Sequence, residues 1–205
     1  MKKHIALTVG LATLLTFTGR AGQEQLAASI KETREEAAAT GAQLSTTLNA
    51  LNGLAAQKEG DLRPAFRDFQ AEIPKTQAAA KATEARAEKM TREKERYFGD
   101  WQKTINEISN MKLHKKAQKR LTSASESYDE VRASMIKAGE KFRPFLSDLA
   151  DVEKTLSQDV TAAGVKSVKS VVRRANYDSK AVSSAIDRAV EQMRKMEASL
   201  SSAAQ

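Results

Sequence analysis

Apolar residues recur at alternating intervals of three and four along most of this chain of 205 residues. Such spacing puts apolar side chains on one stripe of an α-helix, and a sustained stripe is typical of long helices that pack side by side. The pattern therefore predicts an all-α fold, an elongated coiled-coil-like helical hairpin or bundle. The cleanest repeat comprises Leu113, Ala117, Leu121, Ala124, Tyr128, Val131, Met135, Ala138, Phe142, Phe145, Leu149, Val152, Leu156 and Val160.

Turn-forming residues divide the pattern into four main helices and one short helix. Helix one is predicted over residues 25–57, and the run KEGDLRP then ends it. In that run, Gly60 suits a helix C-terminus, and Asp61 is a good N-cap for helix two. Pro64 falls in the first turn of helix two, where its missing N–H costs nothing.

The later helices are interrupted in three places. Pro74 lies inside helix two and predicts a kink or short break near residues 72–73, because an interior proline removes a backbone hydrogen bond. Gly139 and Pro144 predict a bend in helix three, which would be roughly 70 Å long. A cap at Asp159 or Thr161 begins a short helix, a turn follows at residues 176–179, and the last helix covers residues 180–200.

Ser109 and Asn110 form the turn between helices two and three. A turn this short makes the two helices antiparallel, so they form a hairpin with its tip at residues 109–111. Counting outward from the tip places Phe98 and Trp101 opposite Leu121 and Ala124. Trp101 is therefore interpreted as a packed residue of the helix interface, since aromatic residues at helical spacing usually belong to a core.

Composition supports the helical reading and narrows the chemistry. Aromatic residues make up 5% of the chain, with nine glycines and three prolines, which is typical of helix-rich proteins. The chain has no cysteine. Disulfides, thiolate metal sites, cysteine nucleophiles and a lipid-modified cysteine are therefore excluded.

Residues 1–21 have the order of features expected of a secretory signal peptide. Lys2 and Lys3 precede an uncharged apolar run, residues 5–17, and small residues follow around Ala21. We expect cleavage after Ala21, which leaves residues 22–205 as a single elongated α-helical domain that is exported, either periplasmic or otherwise outside the cytoplasmic membrane. The alternative is an uncleaved N-terminal anchor, which Arg20 favours because it is a poor processing context. Without this segment the formal net charge falls by three from +8 to +5, too little to indicate nucleic acid binding.

The sequence around the hairpin resembles a bacterial domain-of-unknown-function family, number two thousand nine hundred and fifty-nine. The resemblance lies in YFGDWQKTINEISN, in Leu113 and the bases after it, in Tyr128, in FRPFLSDLADV and in DVTAAGV. Together these segments cover roughly residues 61–200. The resemblance implies an exported or lipoprotein-like helical protein, although the missing cysteine departs from the lipoprotein-like members. It implies no catalytic residue, cofactor or substrate.

Residues that could support catalysis are scarce. His114 is the only histidine after the signal segment, and it lies beside a basic cluster, as a solvated surface histidine would. The sequence has no Glu-x-x-His pairs for a di-metal bundle, no glycine-rich phosphate loop and no nucleophile elbow. Acid pairs such as Asp148 with Asp151 are interpreted as helix-surface carboxylates. No catalytic residue, metal ligand or cofactor is therefore predicted, and the chain is not expected to be an enzyme.

One basic cluster lies at the hairpin tip: Lys112, Lys115, Lys116, Lys119 and Arg120. A helix N-terminus favours acidic residues, so helix stability does not explain these bases. They either keep the tip solvated beside the negative end of helix two or form a contact for an anionic partner.

Two functions remain open. The leading hypothesis is a non-enzymatic structural or interaction protein of the bacterial cell envelope that acts as a helical scaffold or spacer. The alternative is a binding module that docks the basic tip on an anionic envelope surface, either lipid headgroups or polymer. The expected partner is a protein or an envelope surface; a homo-oligomer and a peripheral membrane contact stay open, and no nucleic acid is expected.

Overall fold

The computed structural model describes the backbone of residues 12–202 and the side chains of residues 20–201. Within that range the chain forms four α-helices and no strand, so the predicted all-α fold is confirmed. None of the helices in this range carries an apolar stretch long enough to cross a bilayer. The helices are α1 (Ala12–Ala56), α2 (Arg63–Asn106), α3 (Met111–Leu156) and α4 (Ala162–Ser202).

The four helices close into one antiparallel bundle. Each helix packs against two neighbours, so that α1, α2, α3 and α4 follow one another around a ring and the last packs against the first. The interface between α1 and α2 is the most extensive, and the interface between α2 and α3 is the least. Short turns between successive helices produce this up-down-up-down arrangement.

Two apolar clusters fill the bundle. We call the end that carries the α1–α2 and α3–α4 turns the closed end; its cluster is rich in leucine, phenylalanine and valine, including Leu51, Phe69, Phe145, Leu149 and Val168. We call the opposite end, which carries the α2–α3 turn, the tip end. Its cluster has more methionine and alanine and includes Ile30, Met90, Leu121, Tyr128 and Met193.

Threonines occupy part of the packed stripe between α1 and α2, in place of apolar residues. The Thr47 and Thr76 hydroxyls are 2.6 Å apart, and those of Thr40 and Thr83 are 2.9 Å apart. Thr40 also donates to the carbonyl of Ala79 at 3.1 Å. Every one of these bonds joins the two helices, so they fix the register in which α1 runs beside α2.

This register shows where each helix stops at the tip end. Moving back along α1 from Thr40 and the same number of residues forward along α2 from Thr83 places Ala12 just beyond the end of α2, at the level of the α2–α3 turn. The ion pair between the buried Asp148 and the exposed Arg174 fixes the register of α3 and α4 in the same way, and following it places Ser202 level with Arg120. The α2–α3 turn therefore extends beyond the last described residue of α4.

The turns use the residues that the sequence indicates, except that Leu62 and not the predicted Asp61 is the N-cap residue of α2, and it forms no side-chain cap bond. Asp61 accepts a bond from the backbone N–H of Arg63 at 3.0 Å, and Gly60 adopts a φ of 90° that other residues rarely reach. Thr161 caps α4, because its hydroxyl accepts from the N–H of Gly164 at 3.2 Å. A Cβ at Gly164 would collide with the carbonyl of Asp159, so that turn requires glycine.

The predicted turn at residues 176–179 is wrong, and the predicted short helix and last helix are one helix, α4. The polar side chains in this segment find partners without breaking the helix. The Asn176 amide donates to the Val172 carbonyl at 2.8 Å and to Asn52 of α1 at 2.7 Å. Ser179 is buried, and its hydroxyl donates to the Asn176 carbonyl at 2.8 Å.

Other predicted boundaries also change. α2 continues through Pro74, so the predicted break near residues 72–73 is wrong; buried neighbours on both sides of the proline, Ile73 and Thr76, hold the segment in the bundle. α3 likewise continues through Pro144. The kink predicted at Pro74 and the bend predicted at Gly139 and Pro144 stay predictions. α1 begins well before Gln25 and continues through Ala21, while the start of the predicted signal peptide, residues 1–11, lies outside the described residues.

Candidate functional site at the hairpin tip

The tip, defined here as residues 107–120, consists of the α2–α3 turn and the first ten residues of α3. Asn110 holds it in shape, because its side-chain oxygen accepts bonds from the backbone N–H groups of Lys112 and Leu113, both at 3.1 Å. Those N–H groups would otherwise lack partners at the start of a helix. The turn residues thus present the first turns of α3 in a defined orientation.

All five bases predicted for the site lie on the tip, and all five side chains are exposed. They lie on nine successive residues of one helix, which corresponds to about 12 Å along its axis. Among the described residues, none of the five forms an ion pair, whereas many bases elsewhere in the bundle do. The members of this unpaired set are Lys112, Lys115, Lys116, Lys119 and Arg120.

Acidic residues near the tip do not neutralise it. Glu107 is the only acid between residues 106 and 120. Two turns further back, Asp100 is paired with Lys103, whose ammonium lies 2.9 Å from the carboxylate. The hydrogen bond from Lys103 lowers the pKa of Asp100, so this carboxylate stays charged but is already paired. The tip therefore carries a net positive charge.

Two large apolar side chains are exposed among these bases. Met111 is 73% exposed and Leu113 is 56% exposed. The sequence places Leu113 at the start of the packed stripe of α3, and that interpretation is wrong. Leu113 is exposed because α4 ends level with Arg120. No residue of α4 in the described range therefore lies beside the first turns of α3.

Below the tip, aromatic residues of α2 pack against the tip-end cluster. The Phe98 and Trp101 rings lie edge to face, with centroids 6.3 Å apart, and Phe98 is buried together with Leu121. Trp101 is half-buried against the same cluster, so its predicted packing role is confirmed. The α2–α3 pairing also includes a bond at 3.0 Å between Gln102 and Gln118.

A half-buried lysine lies on the groove between α2 and α3. The Lys94 ammonium is 5.2 Å from the centre of the Tyr128 ring and 5.6 Å from that of Phe98, which are cation–π distances. The Tyr128 hydroxyl donates to Thr91 at 2.9 Å. Burial raises the pKa of Tyr128, so its hydroxyl stays protonated in its contact with Thr91.

The concave surfaces near the tip are shallow and open. One lies on α3 between His114 and Glu126, and another lies between α2 and α3 over Phe98 and Leu121. His114 is half-buried at the edge of the first, not fully solvated as predicted. Neither surface encloses a small molecule, so contact with a larger partner fits them better than a ligand pocket does.

The described residues of the bundle interior hold their polar side chains in contacts within the bundle. That part of the chain contains no group of three or more residues able to hold a metal ion. Every buried side-chain nitrogen or oxygen in it has a hydrogen-bond partner. The interpretation of Asp148 as a surface carboxylate is wrong, because Asp148 is buried and Arg174 of α4 binds it at 2.7 Å. That pair joins two helices.

Comparison with known proteins agrees with the resemblance drawn from the motifs. No curated protein and no solved structure matches the chain. Residues 14–200 match the family described as "Protein of unknown function (DUF2959)". Because this match covers nearly the whole chain, the protein belongs to that family.

Proposed function

We propose that this chain is a non-enzymatic structural and interaction protein of the bacterial cell envelope, in which a long helical bundle acts as a scaffold or spacer. The observation that carries this proposal is the continuous packing of the interior. Two apolar clusters and the threonine contacts between α1 and α2 fill the bundle over helices about 70 Å long. Because the core is used for packing, we expect the function to depend on the length and the outer surface of the bundle, as in a scaffold or spacer.

The envelope location rests on the order of features in residues 1–21, namely two lysines, an apolar run and small residues. Cell fractionation and the intact mass of the native protein test it. We expect the protein outside the cytoplasmic membrane with Gly22 as its first residue. An intact mass that includes residues 1–21 would contradict cleavage, and a cytoplasmic protein would contradict the proposal as a whole.

A second candidate function is favoured by the unpaired bases of the tip. In this version the bundle is a binding module whose tip docks on an anionic envelope surface. Charged contacts of this kind weaken as ionic strength rises, because salt screens exposed charges beyond about 8 Å at physiological concentration. The test is therefore retention on envelope fragments at increasing salt.

A matched pair of variants makes that test specific. The tip variant changes Lys115, Lys116 and Lys119 to Glu. The control variant changes Lys166, Lys169 and Arg173 to Glu; these three bases are also exposed, lie in the first turns of α4 and form no ion pair in the described structure. Both variants change the net charge equally. We expect the tip variant to lose salt-sensitive retention and the control to keep it; equal loss or equal retention would contradict a tip-specific contact.

A further inference from the structure

The exposed apolar residues of the bundle are concentrated at the tip. Four large apolar side chains are exposed among the described residues, and two of them, Met111 and Leu113, are only two positions apart. The other two, Ile136 and Tyr177, lie singly on the sides of α3 and α4. Scattered exposed apolar residues need no explanation, but a pair within a basic cluster combines the two properties that interfacial membrane contacts use.

The position of the pair also suits an end-on contact. Met111 and Leu113 occupy the first turn of α3, beyond the level at which α4 ends in the described range. They therefore lie at the extremity of the bundle, with Lys112 between them and four further bases within the next two turns. A flat surface that approached this end would meet the turn, the two exposed apolar side chains and the bases around them.

A third observation concerns α1. Its first described residue, Ala12, falls inside the apolar run of residues 5–17 and lies at the level of the α2–α3 turn. The apolar run therefore joins the bundle at the tip end. While residues 1–21 are still attached, the chain direction and the surface chemistry of the tip therefore place the same end of the molecule near a membrane.

From these observations we propose that the tip docks on bilayers of anionic phospholipid, with the five bases at the headgroups and Met111 and Leu113 in the interfacial region. The bundle then stands with its closed end away from the membrane. This inference rests on the second candidate function and names the surface involved. An anionic polymer would satisfy the bases but leave the apolar pair unused, which is why lipid is favoured.

Vesicle co-sedimentation of the purified full-length chain measures the binding. The probes are vesicles of phosphatidylcholine with phosphatidylglycerol, compared with phosphatidylcholine alone. Each base near an anionic surface contributes roughly a five-fold factor, so changing Lys115, Lys116 and Lys119 to Glu should weaken binding by about a hundred-fold or more. Met111→Ser with Leu113→Ser should weaken it by about ten-fold. Two controls should bind as the parent does: the three α4 substitutions described above, and Ile136→Ser.

Insertion can be read separately, because the chain has no cysteine and one can be introduced as a unique labelling site. An environment-sensitive fluorophore on Leu113→Cys should shift to the blue on anionic vesicles, whereas the same label on Ile136→Cys should not. The apolar run at the chain start is common to both proteins, so any contribution it makes to binding cancels.

Each outcome decides between the proposals. Loss of vesicle binding in the tip variants together with the shift at residue 113 supports the inference. Tip-dependent retention on envelope fragments without binding to anionic vesicles would overturn the lipid assignment but keep the tip as an anionic contact. Equal binding by the tip variants and the controls would overturn both.

Discussion

The closed end and the tip end of this bundle are built from the same heptad pattern but differ in what they bury. At the closed end, all four helices contribute leucine, phenylalanine and valine, and in both turns there a side chain, Asp61 or Thr161, accepts a backbone N–H bond. At the tip end, methionine and alanine are more frequent, the α2–α3 interface is the least extensive, and Met111 and Leu113 remain exposed. The difference indicates that the closed end supplies most of the stability, which leaves the tip free to carry a contact surface.

Leu149→Ala at the closed end should produce the largest effect. Leu149 is fully buried on α3, and removal of a buried leucine leaves a cavity that a well-packed core cannot close. We expect the free energy of unfolding to fall by about 4 kcal/mol, near the upper part of the range for such substitutions. Chemical denaturation measures it. A loss below about 2 kcal/mol would contradict the tight packing assigned to this end.

Leu121→Ala at the tip end is the matched substitution, four heptads earlier on the same helix. Leu121 is 7% exposed and borders the open groove between α2 and α3, so the structure can relax around it more easily. We expect a loss of about 2 kcal/mol, at the lower end of the same range. A loss equal to that of Leu149→Ala would erase the contrast between the ends, and unchanged thermal unfolding in Leu121→Asp would contradict the α2–α3 pairing.

The threonine contacts between the two clusters should contribute less. Thr47 and Thr76 are both fully buried, and each hydroxyl also bonds within its own helix, to the carbonyls of Gln43 and Glu72. Thr47→Val should therefore cost about 1 kcal/mol, the net value of one hydrogen bond. In the double variant with Thr76→Val, the second substitution should cost little more, which a double-mutant cycle would reveal. Strictly additive losses would show that the two hydroxyls do not interact.

The smallest effect on stability is expected from the tip variant with Lys115, Lys116 and Lys119 changed to Glu. These side chains are exposed and unpaired in the described structure, and removing positive charge near a helix N-terminus is mildly favourable. Thermal unfolding should stay the same or rise by a few tenths of a kcal/mol. A marked destabilisation would mean that the bases support the fold, and their proposed role in binding would lose its basis.

Much of this architecture can be predicted from the sequence, since the repeat from Leu121 to Leu156 is uninterrupted and Gly60, Asn110 and Thr161 mark the three turns. The α1–α2 contact is harder to predict. Thr33, Thr40 and Thr47 occupy successive buried positions of the stripe, but a search for apolar residues passes over them because threonine is polar. The continuity of α4 is hard to predict from the sequence because Asn176 resembles a turn former, and its bond to Asn52 depends on a helix more than a hundred residues away.

The candidate site is also only partly predictable from the sequence. The five bases can be recognised from composition alone, because charge clusters are visible in any sequence. The exposure of Leu113 cannot, since Leu113 fits the spacing of a packed residue and only the end of α4 leaves it without a neighbour from that helix. Which apolar residues of a heptad are exposed depends on where the partner helices stop, and helix ends are the least predictable part of a helical sequence.

The proposed binding requires that the tip, and not the sides or the closed end of the bundle, contacts the partner. Photo-crosslinking in intact cells tests it directly, with a photoreactive amino acid placed either at Leu113 or at Tyr177, a still more exposed residue on the side of α4. Mass spectrometry of the adducts should find phospholipid attached at residue 113 and none at residue 177. Adducts at residue 177 alone, or only protein attached at residue 113, would contradict the account.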